Sequence, residues 1–171
     1  GANYLVLIDD TYTDLFTGEA KLDTNLDADA WQRLVDTTHR VADIARSQFD
    51  LQVVFHPHAE THVEYEDQIE LLLQQTDPEM VGLCLDTGHH AYCGGDPVAF
   101  IRRHHQRLWH LHLKNVDGQV LKRVREEKIP MPHAVAQGVF CELGAAAGAV
   151  DFAAIRGVLR EVQYSGFALV E

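Results

Sequence analysis

Apolar residues recur along the chain in short runs, each followed by polar residues and then by a helical pattern. The runs are Tyr4–Ile8, Leu51–Phe55, Val81–Leu85, Leu108–Leu113 and Phe167–Val170. Nearly continuous apolar runs of this length are typical of parallel strands that are buried on both faces. They predict five parallel strands joined by crossover connections.

The segments between these runs show helical periodicity. In the stretch Trp31–Ala45, apolar residues recur every three or four positions, and Asp27 or Asp29 can cap the start of this helix. Further helices are predicted over residues 66–75, 97–105 and 151–162. The order β-α-β-α-β-α-β, a long insert and then α-β favours a parallel α/β fold with right-handed crossovers.

Two architectures fit this order: a doubly wound sheet, or part of a (β/α)8 barrel. A dinucleotide-binding sheet would carry G-x-G-x-x-G after its first strand, and no such motif occurs. In both architectures ligands bind at the carboxyl ends of the strands. Every predicted strand here ends in polar residues: Asp9-Asp10, His56-Pro57-His58, Asp86 to His90, His112 to Asn115, and Glu171.

Composition narrows the class of protein. The 171 residues are expected to form one domain, 1–171, and no apolar run is long enough for a membrane helix. A net charge of −12 disfavours nucleic acids and anionic membranes as partners. Three cysteines without C-x-x-C spacing predict reduced thiols in the cytoplasm. Eleven histidines beside 26 acidic residues supply metal ligands in unusual number.

Asp86 is the first candidate ligand. It ends a buried strand, where an unpaired carboxylate is costly to desolvate unless a cation or strong donors compensate it. The alternative is that Asp86 caps the loop that follows.

Two histidines on the next strand, His110 and His112, share one side because they are two residues apart. His112, which is nearest the strand end, is favoured as a ligand, and His110 is equally well explained as a core residue.

Two further segments carry polar groups at this edge of the predicted sheet. Residues 56–64 hold three histidines and two glutamates, either as a solvated loop or as part of the ligand face. Glu171 is either a surface charge or a site residue. Carboxylates with one imidazole suit Mn²⁺, Mg²⁺ or Co²⁺ and leave positions open for substrate oxygens. A metal bound there polarises a carbonyl while a carboxylate removes the α-proton.

Several segments together resemble the C-terminal portion of the xylose-isomerase-like TIM-barrel superfamily of sugar isomerases and epimerases. Within it, the chain is most similar to the inosose (2-keto-myo-inositol) dehydratase group. The segments are His56-Pro-His-Ala-Glu-Thr-His-Val-Glu64, Asp77 to His89 with Leu-Asp-Thr-Gly-His, Gly94-Gly-Asp-Pro97, Trp109-His-Leu-His-Leu-Lys114, and Gly138 to Gly144 leading into Val150-Asp-Phe152. The resemblance implies a (β/α)8 barrel of which about the last five βα units are present.

The resemblance also implies a set of site residues. Metal ligands would be Glu64, Asp86, His112 and Glu171; catalytic groups Glu64, Glu171 and His89; substrate contacts His56, His58, Lys114 and Glu142. The first carboxylate is the weakest match, because the family places it within a strand and Val53–His56 contains no acid. Glu64 is the best substitute, and His56 or His58 is the alternative.

The function implied is a divalent-metal-dependent isomerase, epimerase or dehydratase that acts on a sugar or keto-inositol. Mn²⁺ or Co²⁺ is expected as the metal, with Mg²⁺ or Zn²⁺ as alternatives, and a homo-oligomer is possible. Two other functions stay open: a non-catalytic or inactive barrel fragment with a binding role, and, more remotely, an apurinic-site endonuclease of the same fold. The net charge of −12 disfavours the endonuclease.

Overall fold

A parallel sheet forms the centre of the molecule in the computed structural model, which describes residues 2–171. Its strands are β1 (Tyr4–Leu7), β2 (Gln52–Phe55), β3 (Val81–Asp86), β4 (Leu108–Leu113) and, after the short strands β5 (Asn115–Val116) and β6 (Phe140–Cys141), β7 (Phe167–Val170). The order across the sheet is β1-β2-β3-β4-β7. All four neighbouring pairs are parallel, as the apolar runs predict.

The strand order distinguishes the two architectures left open by the sequence. Consecutive strands of the main sheet are neighbours throughout, so the order never reverses as it does in a doubly wound sheet. The sheet instead curls as part of a (β/α)8 barrel, which confirms the predicted fold class.

Seven helices occur in the part of the chain that the structure describes. They are α1 (Ala28–Phe49), α2 (Glu66–Gln75), α3 (Thr87–Tyr92), α4 (Pro97–His104), α5 (Gly118–Glu127), α6 (Met131–Ala136) and α7 (Phe152–Glu161). The Asp27 side chain caps α1 by accepting a hydrogen bond from the Ala30 amide at 2.7 Å. The sequence patterns do not predict α3. In the long insert, α5 and α6 follow β5 along the chain and precede β6, which pairs with β5 in antiparallel orientation. None of these helices is long and apolar enough to cross a membrane.

The apolar core lies between the central strands and the helices. Side chains that are almost completely buried include Val53, Leu83, Leu85 and Leu111 from the strands, with Ile69, Leu72, Phe100 and Ile155 from the helices. Because successive strand residues point to opposite faces, burial of Leu83 and Leu85 against helices directs Cys84 and Asp86 to the other face. That other face carries the polar residues of the site.

One irregularity interrupts the pairing of β3 with β4. Leu83 pairs with Leu108, but Cys84 pairs with His110, so Trp109 is an extra residue with no partner across the ladder. The indole packs closely on Gly82, where a Cβ atom would lie 2.2 Å from Trp109 Cδ2. Glycine is therefore required beside this bulge.

Candidate functional site

Three residues with ligand atoms meet at the carboxyl edge of the sheet. The register of β3 and β4 pairs Asp86 with His112. Glu171 follows β7, and its backbone N–H donates to the Leu113 carbonyl at 3.1 Å, which extends the pairing past the strand. One side-chain ligand atom from each of Asp86, His112 and Glu171 lies within 4.8 Å of the others.

The Asp86 carboxylate performs two functions with its two oxygens. Its Oδ1 accepts hydrogen bonds from the amides of Gly88 at 2.7 Å and His89 at 2.8 Å, and so caps α3. Its Oδ2 is buried and has no hydrogen bond. The sequence left two roles open for Asp86, helix cap or metal ligand. One side chain can fill both roles, because Oδ1 caps α3 and Oδ2 has no hydrogen bond.

Buried polar atoms without hydrogen bonds concentrate at this site. Within residues 2–171 they are His56 Nδ1, Asp86 Oδ2 and His112 Nδ1. Leaving such an atom unsatisfied costs about 1–3 kcal/mol. His56 also lies close to His112, with ring centroids 4.8 Å apart. Asp86 belongs to two groups whose ligand atoms lie within 4.8 Å of one another, one with His112 and Glu171 and one with His56 and His89. Such mixtures of imidazole nitrogen and carboxylate oxygen suit a divalent cation.

Lys114 supplies positive charge to the site. Its Nζ forms an ion pair with Glu171 Oε2 and lies 3.4 Å from both Asp86 Oδ2 and His89 Nε2. The lysine side chain passes over Gly88, where a Cβ atom would be 2.6 Å from Lys114 Cγ. The glycine of the Leu-Asp-Thr-Gly-His motif therefore makes room for the lysine that reaches the carboxylates.

The carboxylates respond differently to this environment. Burial raises the pKa of Asp86, although the Lys114 charge and the His89 amide oppose the rise. Burial also acts to raise the pKa of Glu171, but its hydrogen bond and charge interaction with Lys114 outweigh burial and lower that pKa overall. Glu171 is therefore the more readily ionised of the two.

Three histidines line the site as neutral bases. His58 and His89 have ring centroids 3.7 Å apart, and His56 lies 5.7 Å from each of them. Burial lowers the pKa of His56 to about 3, and burial likewise lowers the pKa of His58 and, strongly, that of His89. A neutral imidazole keeps a lone pair available for a metal or a proton.

The insert contributes a wall that the sequence did not reveal. The Phe140 ring of β6 lies 4.9 Å from the His89 ring, centroid to centroid, and 5.0 Å from Lys114 Nζ. Thr87 is a second missed residue: its Oγ1 donates to the Lys114 carbonyl at 2.7 Å and accepts from the Lys114 amide at 3.0 Å. A third is Cys84, which strand alternation places on the face of Asp86.

Glu64 does not join the ligands at the strand ends. Its Oε1 accepts from the Tyr12 hydroxyl at 2.7 Å, and its Oε2 accepts from the Glu60 amide at 2.8 Å. Burial raises the pKa of this carboxyl group. The side chain thus fastens the loop after β1 to the loop after β2, while His56, the alternative named from the sequence, lies among the ligands.

Other predicted polar groups also lie apart from the cluster. Glu142 is exposed, and only its backbone carbonyl is engaged, accepting from Asn115 Nδ2 at 3.2 Å. Asp9 Oδ2 accepts a hydrogen bond from His62 Nδ1 at 2.7 Å, and Asp10 forms an ion pair with Lys21 at 2.9 Å. The structure therefore gathers His56, His58, Asp86, His89, His112, Lys114 and Glu171, and leaves out Glu64 and Glu142.

This arrangement agrees with the comparison against known families. Residues 2–171 match the family described as the xylose isomerase-like TIM barrel. The chain belongs to this family. Asp86, His112 and Glu171, at the carboxyl ends of β3, β4 and β7, therefore lie at the edge where barrels of this architecture carry their sites.

Curated relatives of this family member are similar over most of the chain. An inosose dehydratase of Geobacillus kaustophilus is 39% identical over 153 residues, covering 90% of the chain and 49% of the relative. The rhizopine catabolism protein MocC of Rhizobium meliloti is 39% identical over 140 residues, covering 82% of the chain and 41% of the relative. The chain thus spans about half the length of these relatives.

Solved structures share the fold at low sequence identity. The IolI protein with a binding zinc atom matches with a TM-score of 0.67 and 19% identity, over 99% of this chain and 53% of that one. The probable 3-DHS dehydratase AsbF of Bacillus anthracis matches with a TM-score of 0.69 and 19% identity, over 97% and 56% respectively.

Proposed function

We propose that the protein containing this chain is a divalent-metal-dependent enzyme that removes a proton next to a carbonyl group, as an inosose dehydratase does. The observation that carries the proposal is the set of buried atoms without hydrogen bonds, which lie on His56, Asp86 and His112. Such atoms are costly in a folded protein unless a ligand satisfies them. The names of the curated relatives support the same chemistry.

The ligands proposed are Asp86, His112 and Glu171, with His56 taking the place that the sequence assigned to Glu64. A divalent ion held by these groups would polarise a substrate carbonyl and stabilise the enediolate. Mn²⁺, Co²⁺ and Zn²⁺ all suit mixed nitrogen and oxygen ligands.

The protein groups around these ligands can handle the protons of the reaction. Glu171 is ionised and lies at the edge of the site, with its side chain 32% exposed, so its carboxylate is placed to accept the α-proton. Lys114 contacts this carboxylate and can hold it in position. His58 and His89 are neutral. His58 Nδ1–H donates to the Ala59 carbonyl at 2.8 Å, so its Nε2 keeps the lone pair that can accept a proton from a substrate hydroxyl.

The substrate class follows from the site and from the relatives. A keto-inositol or ketose offers a carbonyl and an adjacent hydroxyl that can both approach a metal with open positions. The polar groups of His58, His89 and Lys114 are available to its other hydroxyls. We therefore propose a cyclic or open-chain keto-polyol as substrate, with loss of a β-hydroxyl as the outcome that the relatives' names favour.

The variant Asp86→Asn in the intact protein tests this function. Asparagine keeps an oxygen that can cap α3 but loses the anionic oxygen, so we expect metal affinity to fall about 10–100-fold and turnover of a keto-inositol to be nearly lost. Metal content and dehydration rate are measured with Mn²⁺, Co²⁺ and Zn²⁺. The matched control is Asp96→Asn, because Asp96 caps α4 through the amides of Val98 and Ala99 in the same way. Unchanged metal content and rate in Asp86→Asn would refute the proposal.

A non-catalytic role makes a different prediction for the same experiment. A binding protein built on this barrel would hold the metal or a sugar without turnover. Metal affinity lost in Asp86→Asn, together with an intact wild-type protein that converts no keto-inositol or ketose, would favour that role.

A further inference from the structure

A thiol lies one layer below the carboxylates on the same face of the sheet. Cys84 precedes Asp86 by two residues on β3, and the register pairs Cys84 with His110 just as it pairs Asp86 with His112. Cys84 is completely buried, and its Sγ lies 3.6 Å from His110 Nδ1. The proposed reaction makes no use of this thiol.

Cys84 forms a ligand group with two imidazoles of the candidate site. One ligand atom from each of His56, Cys84 and His112 lies within 4.8 Å of the others, and all three residues are buried. The ligand atoms around a tetrahedral zinc ion lie about 3.5 Å apart. Displacements of the three ligand atoms by roughly 1 Å, through side-chain rotation, would bring them to that spacing. His56 Nδ1 has no hydrogen bond to give up, and His112 Nδ1 would exchange its contact with Glu171 Oε1, which is 3.2 Å away.

We propose that His56, Cys84 and His112 form a second, deeper position for a divalent ion, in which Cys84 is a thiolate ligand. Because thiolate is a soft ligand, this position favours Zn²⁺ or Co²⁺ over Mn²⁺ or Mg²⁺. The inference rests on the proposed function only in that the two positions share His56 and His112. An ion can therefore occupy the carboxylate position or the thiolate position.

Binding of a metal ion at the deeper position displaces one proton, that of the Cys84 thiol. The Sγ–H bond of Cys84 breaks, an Sγ–metal bond forms, and the proton leaves to solvent without any change in oxidation state. His110 is placed to stabilise the product, since an N–H on its Nδ1 can donate to the thiolate across the 3.6 Å separation. The rival explanation is that Cys84 only packs in the interior and donates its S–H to His110.

Titration of the intact, metal-stripped protein with Co²⁺ distinguishes these explanations. Coordination by a thiolate produces a sulfur-to-cobalt charge-transfer band in the near ultraviolet, which nitrogen and oxygen ligands do not give. We expect the band in the wild type, its loss in Cys84→Ser, and its retention in Cys93→Ser. Cys93 is a matched control because it is partly buried, contacts Glu64 Oε2 at 3.8 Å and joins none of the ligand groups found among residues 2–171.

The preference among metals gives a second readout. We expect Cys84→Ser to weaken Zn²⁺ binding about 10-fold or more while Mn²⁺ affinity changes by less than about 3-fold. If Cys84→Ser does not fold, the double variant Cys93→Ser with Cys141→Ser still tests the inference, because Cys84 is then the one cysteine left in residues 1–171. Loss of the band in that double variant would overturn the thiolate position.

The outcomes separate this inference from the proposed function. A cobalt-loaded wild type without the band, or a band that survives in Cys84→Ser, overturns the thiolate position while leaving the carboxylate site intact. Loss of the keto-polyol reaction with the band present would overturn the proposed function alone.

Discussion

At the scale of single residues, the site consists of polar side chains that are buried, and some of their atoms make no hydrogen bond. His56 is buried and neutral, and Asp86 holds a buried oxygen without a hydrogen bond. The sequence could predict the meeting of Asp86 with His112, because carboxyl ends of adjacent parallel strands lie at one edge. It could not place Glu64, since alternation fixes directions within a strand but not in the loop beyond it.

The neutral state of His56 makes stability depend on pH in the metal-free protein. Its folded pKa of about 3 is below the usual value of about 6.5, so the unfolded chain binds a proton that the folded chain does not. This contribution is complete above about pH 6.5 and is lost as the pH falls toward about 3. In His56→Gln we expect the slope of unfolding free energy against pH to decrease by about 1.4 kcal/mol per pH unit.

Urea unfolding in the presence of a chelator, between about pH 6 and about pH 5, measures this slope. His39→Gln is the control, because His39 lies on α1 away from the site, where its Nε2 accepts from the Asp77 amide. Equal slopes in wild type and His56→Gln would contradict a neutral, buried His56.

At the scale of elements, the short helix α3 connects the fold to the site. It begins directly after β3, and its first amides are held by the Asp86 oxygen that does not face the other ligands. Periodicity did not predict α3, because six residues that include a glycine carry too little pattern. The longer helix α1 was predictable from its apolar stripe and its Asp27 cap, and α2 was predictable from its apolar stripe.

The substitutions Asp86→Ala and Asp86→Asn should affect metal binding alike but differ in stability, because Asp86 also caps α3. Asparagine retains an oxygen acceptor for the amides of Gly88 and His89, whereas alanine retains none. We expect metal-free Asp86→Ala to be less stable than Asp86→Asn by about 1–2 kcal/mol. Chemical denaturation of both variants with chelator present gives this difference. The pair Asp96→Ala and Asp96→Asn on α4 should show a similar difference with normal metal binding, and equal stability of the two Asp86 variants would argue against the cap.

At the scale of the whole molecule, the two outer strands of the sheet are its most exposed apolar elements. All of β7 is exposed, with Phe167 at 57% and Val170 at 65%, and Leu5 and Val6 of β1 are at 37% and 38%. A closed barrel of this family has eight strands, so both edges pair there with further strands. The five strands and their parallel pairing were predictable from the apolar runs. Apolar side chains of β1 and β7 are exposed because this chain contains five of the eight strands of such a barrel.

These edges predict the behaviour of residues 1–171 produced alone. Unpaired strands with apolar side chains associate readily, so we expect this chain to form concentration-dependent oligomers. The double variant Phe167→Lys with Val170→Lys should reduce them, because lysine on an edge strand opposes pairing. Light scattering across a concentration series measures the effect. Phe16→Lys is the control, since Phe16 is 90% exposed in the loop after β1. A wild-type chain that stays monomeric would contradict this prediction.

The extra residue in β4 has a consequence for how such a site can be lost. Had the ladder continued regularly from Leu83 and Leu108, Asp86 would face Leu111, and the two histidines would alternate onto the side of the helices. The candidate site thus depends on which residues of β4 face it as much as on which residues β4 contains. Because Trp109 is the extra residue, its removal would leave Leu108 opposite Leu83 and His112 opposite Asp86. One residue added between His110 and His112 would instead turn His112 to the side of the helices without altering any ligand. An insertion or deletion of one residue between His110 and His112 is therefore as harmful as replacement of a ligand.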